Sequence, residues 1–461
     1  MNNKKFVGRI KELNELNTRF GSGRKEFGVI YGHRRIGKSE IIKEFIKDKN
    51  GFIFQAKKDN SYGNLKSFSY ELNKFIGAKV NYIFPSWQEA LDTVSALSED
   101  RRLVLAIDEY PYIVEQDKSF PSVLQEFIDH AGENIFLIIS GSDISMLKNE
   151  IKDHSSPLYK RRTFEMSVTK MPFNEAVDFL DSFNNETKAK FLSLMSTHPY
   201  YLQAIDTGKS FEENIEALLF NQYSAFFTLP DQLLSNSTKV QDVYNAILNA
   251  IAHRRRTIKE ISDYIHEEDS KVSKYLLTLL ESEIATKCET FMGSKKTVYY
   301  EIADPLLKFW YVFIYENQEK IRTNGEMVFK KLSEDISLFI SRGFEDVCRL
   351  YLQMLNEKGC LPDIFTKPKA YKADKTLLGR SVEIDGLSLS DDILLVLECK
   401  FRVTKFDLKS FMHLQESASI FPEKYRREFY LFSKSGFAED IKALDDKCVH
   451  LFTLDDIFQK L

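Results

Sequence analysis

One short segment constrains the fold of this chain more than any other. It reads Gly32-His33-Arg34-Arg35-Ile36-Gly37-Lys38-Ser39 and fits the pattern G-x-x-x-x-G-K-[ST] at every fixed position. Residues 27–31 before it are apolar and β-prone, and residues 40–46 after it have helical spacing. A strand, a glycine-containing loop and a helix in this order form a concavity of backbone N–H groups that holds phosphate oxygens. The segment therefore predicts a phosphate-binding loop (P-loop) rather than an ordinary glycine-rich turn.

The side chains of this loop indicate what it would hold. A Cβ at Gly32 or Gly37 would crowd the phosphates, so both glycines fit the prediction. Lys38 is expected to reach the β- and γ-phosphates, and the Ser39 hydroxyl is expected to ligate Mg²⁺. ATP and Mg²⁺ are therefore the predicted ligands.

Composition limits the other possibilities. At about 150 residues per domain, 461 residues suggest roughly three domains. The 43% hydrophobic and 29% charged residues are ordinary for a globular protein. The 64 basic and 68 acidic residues leave a net charge of −4, so no global field draws the protein to nucleic acid or to a membrane. Any binding to nucleic acid must therefore be local.

The cysteines and the apolar runs bear on location. The five cysteines are odd in number, scattered and without C-x-x-C spacing, which predicts neither a disulfide framework nor a zinc site. The first residues lack an apolar signal region, and no later run approaches the ~18 apolar residues of a membrane span. We therefore predict a cytoplasmic protein without a membrane segment.

A second apolar run supplies the acidic partner that a P-loop needs. Residues 103–107 are continuously apolar and are followed by Asp108 and Glu109. Asp108 suits the Mg²⁺ shell, and Glu109 suits the base that orients a water molecule at the γ-phosphate. Acid pairs also end strands in ordinary loops, but the P-loop upstream favours ATP hydrolysis. Strands and helices alternate around these motifs, which predicts an α/β fold with a mainly parallel sheet.

Two further predictions concern the next strand and the basic segment after it. The apolar residues 135–139 end in Ser140, which could touch the γ-phosphate or the attacking water, although serine and glycine after a strand also form simple turns. Arg161 or Arg162 could stabilise transition-state charge in the nucleotide site of a neighbouring copy, which requires a homo-oligomer. The alternative for both arginines is a solvated basic loop.

These motifs occur in an order that resembles the archaeal-type ATPases of the AAA+ superfamily, relatives of the signal-transducing ATPases with numerous domains. The resemblance covers about the first half of the chain. It implies that Val7, Gly8 and Arg9 lie near the adenine, and that a helical lid follows residue 165. Where many AAA+ proteins carry a sensing arginine in the lid, this chain has His198-Pro199-Tyr200. The sequence elements that carry the resemblance are residues 6–13, the P-loop, residues 107–109, 140–142, 158–162 and 198–202.

From about residue 238 the pattern changes to three short amphipathic helices and two strands. This order predicts a winged helix, whose third helix can enter a major groove of DNA with Lys271, Ser273 and Lys274. Residues 239–300 hold ten basic and nine acidic residues, so the basic footprint of a DNA binder is weak. Packing against the lid, or oligomerisation, is the alternative. The predicted helices are 240–252, 257–265 and 269–282, and the predicted strands 284–287 and 298–302 flank the loop 293–296.

The last part of the chain places acidic residues at the ends of two predicted strands. Residues 382–386 include Asp385, and the apolar run 393–397 ends in Glu398-Cys399-Lys400. Alternation along a strand puts Glu398 and Lys400 on one face and Cys399 on the other. Asp385 and Glu398 could then share Mg²⁺ or Mn²⁺, with Lys400 positioning a water or stabilising charge in phosphodiester cleavage. A strand end with solvated charges is the alternative.

This carboxyl-terminal pattern, with Glu345 on the preceding helix, resembles the PD-(D/E)xK restriction-endonuclease-like superfamily. It also resembles the uncharacterised domain that is commonly fused to archaeal-type ATPases. Ile384 replaces the proline of the motif. The resemblance implies an α/β domain with a metal-dependent nuclease site, whether or not that site is active.

The combined prediction is a multidomain α/β protein with an AAA+ core, a helical lid, a winged helix and a nuclease-like domain. It would be an ATPase or ATP-driven switch whose carboxyl-terminal modules bind or cut DNA or another nucleic acid. The alternative is a regulatory protein that binds ATP, turns over slowly and uses its carboxyl half only for protein or DNA contacts. The predicted boundaries are 1–165 for the core, 166–237 for the lid, 238–325 for the winged helix with an aromatic helix, and 326–461 for the nuclease-like domain.

Overall fold

The computed structural model describes residues 6–233, 238–289, 298–373 and 379–459. The chain divides into two compact units, Met1–Met171 and Pro172–Leu461. Each unit contains a five-stranded sheet. No helix within the described residues is both long enough and apolar enough to cross a membrane.

A parallel sheet in the order β2-β3-β4-β1-β5 forms the centre of the first unit. The three central strands are buried along their whole length, as expected for apolar runs covered by helices on both faces. Because all five strands are parallel, the segments that follow β1, β3 and β4 meet at one edge of the sheet. The strands are β1 (Glu26–Tyr31), β2 (Gly51–Gln55), β3 (Leu103–Asp108), β4 (Ile135–Gly141) and β5 (Phe164–Ser167).

Helices cover both faces of this sheet and form two separate cores. One core joins the sheet to α1 and α2 through residues such as Leu16, Ile41 and Phe45. The other joins the opposite face to the remaining helices through residues such as Phe68 and Trp87. The helices are α1 (Ile10–Gly21), α2 (Lys38–Ile46), α3 (Ser61–Phe75), α4 (Trp87–Leu97), α5 (Pro111–Gln116), α6 (Phe120–His130) and α7 (Ile144–Lys152).

The second unit begins with a series of short helices, in the region where the lid is predicted. A longer amphipathic helix, two further helices and an antiparallel strand pair follow, in the order predicted for a winged helix. The predicted loop 293–296 lies outside the described residues. The elements are α8 (Phe173–Val177), α9 (Asn185–Met195), α10 (Pro199–Gln203), α11 (Phe211–Leu219), α12 (Leu229–Leu233), α13 (Thr238–Ala252), α14 (Ile258–Ile265), α15 (Asp269–Glu281), β6 (Ala285–Glu289) and β7 (Val298–Ile302), with 3-10 turns at Asp178–Leu180 and Ala225–Thr228.

The aromatic segment after β7 is helical and leads into the longest helix of the chain's described part. A π-helical turn at Trp310–Ile314 and a 3-10 turn at Tyr315–Asn317 connect α16 (Pro305–Phe309) to α17 (Gln318–Glu357). The predicted boundary between residues 325 and 326 therefore lies inside a helix. This helix is locally irregular, since Asn324 has non-helical backbone angles (φ −160°, ψ 89°). Gly325 lies against the residue that follows α11, because a Cβ there would lie 1.9 Å from the Phe220 carbonyl oxygen.

The second sheet has the order β12-β11-β10-β9-β8. The strand β10 is antiparallel to β9 and parallel to β11, and α17 and α18 pack on the sheet. Its apolar strand β10 is central and is buried up to Leu397, as the uninterrupted apolar run predicts. The remaining elements are β8 (Lys369–Ala373), β9 (Val382–Leu389), β10 (Ile393–Lys400), α18 (Leu408–Ala418), β11 (Arg426–Ser433), α19 (Glu439–Lys442), β12 (Val449–Thr453) and α20 (Leu454–Phe458).

Candidate nucleotide site and carboxylate site

The P-loop connects β1 to α2, as predicted, and its shape explains its glycines. Gly37 has φ +98°, a conformation that residues with a Cβ rarely adopt. Gly32 lies so close to the segment after β5 that a Cβ would be 2.2 Å from the Val168 carbonyl oxygen. Arg35 also adopts a left-handed backbone conformation (φ 64°). The loop is therefore tightly constrained at both ends and presents its backbone to a ligand at the start of α2.

Lys38 folds back onto this loop. Its ammonium group donates hydrogen bonds to the carbonyl oxygens of Gly32 (2.7 Å) and His33 (2.9 Å), and the residue is 5% exposed. Burial lowers the pKa of Lys38, although Glu109 and Asp108 act in the opposite direction. Lys38 thus occupies the inside of the P-loop, and phosphate oxygens would take the place of these two carbonyl groups as its partners.

Asp108 is the centre of a hydrogen-bonded cluster at the carboxyl edge of the first sheet. The Ser39 hydroxyl donates to one carboxylate oxygen (2.5 Å), and the Ser140 hydroxyl donates to the other (2.6 Å). The Glu109 backbone N–H also donates to Asp108 (3.1 Å). Ser39 and Asp108 therefore offer adjacent hard oxygen atoms, which is the donor set that Mg²⁺ prefers. Ser140 is fully buried and engaged with Asp108, so its contact with the γ-phosphate or the water stays a prediction.

Glu109 follows in an unusual backbone conformation. Its φ of 53° turns the chain sharply after β3, and its carboxylate accepts a hydrogen bond from the Ser142 hydroxyl (3.2 Å). Ser142 lies just after β4, the strand next to β3. Sequence reasoning did not single out Ser142, although it is the second serine of the same Ser140-Gly141-Ser142 segment. This serine fixes the side chain that is predicted to orient water.

Arg9, which the family resemblance placed near the adenine, contacts the P-loop. Its guanidinium donates to the carbonyl oxygens of Ile36 (2.7 Å) and Thr169 (2.8 Å) and forms an ion pair with Glu12 (2.8 Å). Arg9 is 3% exposed, and both Gly8 and Arg9 have positive φ angles. The segment 7–9 therefore approaches the P-loop, while its contact with adenine stays a prediction.

Arg161 and Arg162 are engaged within their own unit. Arg161 forms a bidentate ion pair with Asp129 (2.8 and 2.9 Å), and Arg162 forms an ion pair with Glu165 (3.0 Å). The ion pair with Asp129 raises the pKa of Arg161. Each guanidinium is about 30% exposed, so a role in a neighbouring copy would require exchange of these partners.

The predicted carboxylates of the second sheet lie together at the ends of β9 and β10. The register pairs Leu397 with Gly386, so Asp385 and Glu398 are the next residues on the two strands. Lys400 forms an ion pair with Glu398, as expected for residues on one face of a strand. The Asp385 carboxylate accepts a hydrogen bond from the Cys399 backbone N–H (2.7 Å). Asp385, Glu398 and Lys400 therefore share one corner of the sheet.

Arg349, which sequence reasoning missed, joins this corner to α17. Its guanidinium forms ion pairs with Glu345 (2.8 Å) and Asp346 (2.7 Å) and donates to the Asp385 carbonyl oxygen (2.5 Å). Asp346 and Glu345 outweigh the effect of burial and raise the pKa of Arg349. The four-residue spacing of Glu345 and Arg349 on a predicted helix was the signal that could have revealed this pair.

Burial and mutual repulsion disfavour the charged forms of these acids. Burial, with Asp385 nearby, raises the pKa of Glu345 and of Glu398 to about 7 each. Burial also raises the pKa of Asp385, against the effect of Lys400. Burial opposes the charged form of Lys400, but Glu398 outweighs it and raises the pKa of Lys400. A divalent cation would relieve the repulsion among the carboxylates.

The predicted metal site has only part of its donors assembled. Within the described residues, no group of three or more His, Cys, Asp and Glu side chains is arranged to hold a metal ion. The Cys399 thiol is buried near Cys348 of α17. A shared metal at Asp385 and Glu398 therefore stays a prediction and requires Glu398 to leave Lys400.

The predicted recognition helix α15 exposes a mixed surface. Lys271 and Lys274 are exposed, but Lys271 forms an ion pair with Glu267 (2.6 Å). Ser273 is half-buried. Acidic residues precede and begin the helix at Glu267, Glu268 and Asp269, which weakens the positive potential there. DNA contact by this helix stays a prediction, as does the alternative of lid packing or oligomerisation.

Comparison with known proteins agrees with the nucleotide site. Residues 6–203 match a family described as an ATPase domain predominantly from Archaea. The first part of this chain is therefore similar to archaeal-type ATPase domains. The ATPase prediction is thereby confirmed for this domain, with a nucleotide as its substrate. Residues 310–411 match a second family, described as archaeal and bacterial proteins of unknown function.

One relative spans nearly the whole chain. The uncharacterized protein MJECL04 of Methanocaldococcus jannaschii is 27% identical over 429 residues, which covers 92% of this chain and 91% of the relative. The similarity therefore includes both the ATPase domain and the carboxyl-terminal domain.

Solved structures with partial similarity include two archaeal proteins. The ORC2 protein of Aeropyrum pernix, in its ADPNP-ADP complexes, has a TM-score of 0.45 and 12% identity over 69% of this chain and 98% of that chain. Cdc6p of Pyrobaculum aerophilum has a TM-score of 0.35 and 13% identity over 71% of this chain and 95% of that chain.

Proposed function

We propose that this protein is an ATP-driven switch of the AAA+ type, in which the nucleotide at the P-loop controls carboxyl-terminal modules that bind or cut DNA. The main observation that supports this proposal is where the ATPase domain ends in the structure. The family match extends to residue 203, but residues 172–203 belong to the second compact unit, together with the carboxylate site. Part of the ATPase domain is thus built into the unit that it would control.

The contact that joins the end of the ATPase domain to the carboxylate site is between α9 and α17. The two helices approach so closely that a Cβ on Gly343 would lie 2.6 Å from the Ser193 carbonyl oxygen. Glu345 and Arg349 lie on the same helix, two and six residues after Gly343, or about half a turn and about one and two-thirds turns. Movement of α9 would therefore move the helix that supplies these two residues.

Polar contacts reinforce this packing. The Lys434 ammonium group, just after β11, forms an ion pair with Glu186 of α9 (2.7 Å). The Asn185 side chain donates to the Asp455 carboxylate (2.7 Å). Together with the close approach at Gly343, these contacts support the movement of α9 and the second sheet as one body.

At the nucleotide site, the residues have separable roles. Mg²⁺, when bound between Ser39 and Asp108, would neutralise charge on the β- and γ-phosphates. Lys38 would exchange the carbonyl oxygens of Gly32 and His33 for phosphate oxygens. Glu109, held by Ser142, would orient the attacking water and take up its proton. Loss of the γ-phosphate removes partners of Lys38, which gives the switch its two states.

A change at the α9–α17 contact tests whether ATP binding is coupled to DNA binding. In the full-length Gly343→Ala variant, the added methyl group must displace Ser193, so we expect a loss of roughly 1–3 kcal/mol in the free energy of unfolding. ATP binding should persist, whereas the effect of ATP on DNA affinity should fall or disappear. Calorimetry would measure ATP binding, and fluorescence anisotropy with and without ATP would measure DNA affinity.

The control for this experiment is Gly21→Ala, where a Cβ meets nothing within 4 Å. It should leave the ATP response unchanged and should not lower the free energy of unfolding, because alanine favours a helix more than glycine does. A folded Gly343→Ala protein that responds to ATP like the wild type would contradict coupling through α9. A wild-type protein whose DNA affinity and cleavage never respond to ATP would contradict the switch itself.

The role of Arg161 and Arg162 between subunits gives a separate prediction. Mixing the Lys38→Ala protein with an Arg161→Ala, Arg162→Ala double variant should restore part of the ATP hydrolysis that each lacks alone, because complementary intact halves would meet at one interface. Mixing Lys38→Ala with Arg101→Ala, which changes an exposed arginine elsewhere in the same unit, is the control. A protein that light scattering finds monomeric with ATP, yet that hydrolyses ATP, would exclude the role.

A second candidate function has support of its own. The Glu398–Lys400 ion pair closes the carboxylate corner on itself, and no three-ligand metal cluster is present among the described residues. These features favour a regulatory protein that binds ATP and uses its carboxyl half only for protein or DNA contacts. Metal-dependent cleavage by the full-length protein, absent in Asp385 variants, separates the two candidates.

A further inference from the structure

The outer face of α3 carries an alternating row of aromatic and basic side chains. The exposed residues of this helix are Tyr62, Lys66, Tyr70 and Lys74, which follow one another at intervals of four residues. Tyr62 is 63% exposed and Tyr70 is 52% exposed. A single exposed ring needs no explanation, but several exposed rings close together in one region can mark an interaction site. Among the described residues, three of the five exposed tyrosines lie in residues 62–82.

The four residues form a continuous path. At about 100° per residue, positions spaced by four turn by about 40°, so the whole row lies within a sector of about 120° on one side of the helix. Successive members rise by about 6 Å, and the two rings are separated by about 12 Å along the axis. A ring and an ammonium group therefore alternate at a step comparable to that between nucleotides in an extended single strand.

The loop after α3 extends this surface and is fastened to the helix. The buried Asn73 amide donates to the carbonyl oxygens of Ser69 (2.7 Å) and Tyr82 (2.6 Å), and the Phe84 backbone N–H donates to the Ser69 hydroxyl (3.1 Å). Tyr82 also stacks edge-on against Phe84, with ring centroids 5.0 Å apart. These contacts fasten the backbone of residues 82–84 to α3, and the contact with Phe84 restrains the exposed Tyr82 ring.

The local charge is opposite to that of the chain. Residues 57–83 contain five lysines and two acidic residues, whereas the whole chain has a net charge of −4. Lys74 has Glu71 at 4.0 Å, a distance at which an exposed ion pair is weak. The surface therefore combines a local excess of positive charge with flat aromatic rings.

We propose that this surface, the Tyr62–Tyr82 surface, binds single-stranded nucleic acid. Tyrosine rings stack on unpaired bases of any sequence, and lysines between them neutralise phosphates. The rings could not reach base faces inside a duplex, because those faces are already stacked. Protein interfaces are depleted of lysine at their core, so the alternation does not favour a protein partner.

The Tyr62–Tyr82 surface is separate in sequence from the carboxyl-terminal modules. The surface lies within Met1–Met171, and neither the winged helix nor the carboxylate site contributes to it. It adds a contact with unpaired strands to the ATPase unit itself. Binding is therefore expected without ATP, without metal ions and without cleavage.

Fluorescence anisotropy on the full-length protein tests the proposal, with labelled oligo-dT and oligo-U in EDTA and without ATP. The Tyr62→Ser, Tyr70→Ser double variant should bind at least about tenfold more weakly, since two stacked bases are lost. The Lys66→Gln, Lys74→Gln double variant should reduce the slope of log K against log salt by about 1.4, the value for two phosphate contacts on a single strand. Comparison of the two oligonucleotides distinguishes DNA from RNA.

Matched controls exist for both variants. Tyr223 is 88% exposed and lies in the other unit, so Tyr223→Ser should bind like the wild type. Lys47 is 65% exposed with Glu44 at 3.5 Å, much as Lys74 is 70% exposed near Glu71, so Lys47→Gln is the basic control. Unchanged thermal melting would show that each variant is folded.

Three results would overturn the proposal. The first is wild-type affinity in the tyrosine double variant, and the second is an equal loss in Tyr223→Ser. The third is a loss only in the lysine variant, with polyglutamate competing as well as oligo-dT, since this would indicate an acidic protein partner.

Discussion

Replacing Glu109 with glutamine should lower the rate of ATP hydrolysis by about 100-fold or more while ATP still binds. A general base typically contributes about 10²–10⁴ in rate, and glutamine can accept the Ser142 hydrogen bond but cannot take up a proton. The cluster of Ser39, Asp108 and Ser140 does not include the Glu109 carboxylate, so ATP and its metal ion should keep their contacts. Steady-state phosphate release and calorimetric ATP binding would be measured on the same protein.

Lys38→Ala should have the complementary effect. Hydrogen bonds to charged groups contribute about 1.5–3 kcal/mol each, so ATP affinity should fall by roughly 10- to 100-fold or more. The matched control is Lys43→Ala on the same helix, where the ammonium group is exposed and paired only with Glu40 (2.7 Å). Equal ATP affinity in the wild type and the Lys38→Ala protein would falsify the P-loop assignment. Rapid hydrolysis by Glu109→Gln would instead reject only the role of Glu109.

The elements that the sequence predicted well are strands with a regular pattern of burial, either continuous as in β10 or closer to alternating as in β7. The strands β7 and β10 occur at the predicted residues, and β3 contains the apolar run 103–107 and ends at Asp108. Continuous apolar and alternating patterns predict such strands well, because they depend on side-chain direction within the segment itself. The P-loop and Asp108 were predictable for a related reason. Parallel strands bring their carboxyl ends to one edge, so residues distant in sequence meet wherever a strand ends.

The residues that sequence missed depend on tertiary partners. Arg349 is one basic residue among many on a long amphipathic helix, and only the fold shows that it also reaches the Asp385 carbonyl oxygen. Gly325 gave no signal of its tertiary role, yet its backbone approaches Phe220 closely. Asn73 gave no signal, yet it fastens the loop beside the Tyr62–Tyr82 surface. Composition and periodicity cannot distinguish these cases, because the partner is not adjacent in sequence.

The carboxylate corner of the second sheet gives the other large expected effect. If it is a metal-dependent nuclease site, Asp385→Asn should abolish Mn²⁺-supported cleavage of nucleic acid by the full-length protein. Asparagine keeps an oxygen for the Cys399 backbone N–H but loses the charge that would bind the metal. Glu383→Gln is the matched control, since Glu383 lies on the same strand and is exposed. Lys400→Ala should also remove cleavage, whereas Cys399→Ala should mainly affect packing beside Cys348.

The same corner predicts a dependence of stability on pH and metal. The pKa values of Glu345 and Glu398 are raised from 4.5 to about 7 in the folded protein, so the folded state holds more protons than the unfolded state between these values. The stability that these protons confer is present below about pH 4.5 and is lost as the pH rises through about 7. Mn²⁺ should restore stability above about pH 7, where it replaces the protons, and its affinity should rise through the same range.

Thermal melts at several pH values, with and without millimolar Mn²⁺, would separate a metal site from a closed ion pair. Burial still raises the pKa of both glutamates in Asp385→Asn, but the contribution of the Asp385 charge is gone, so the pH dependence should be smaller than in the wild type and in Glu383→Gln. Mn²⁺ should then have little effect on the melting temperature. If wild-type melting does not respond to Mn²⁺ at any pH, or if purified Asp385→Asn still cleaves, this corner has only a structural role, in which Arg349 of α17 binds the Asp385 carbonyl oxygen and Lys400 pairs with Glu398.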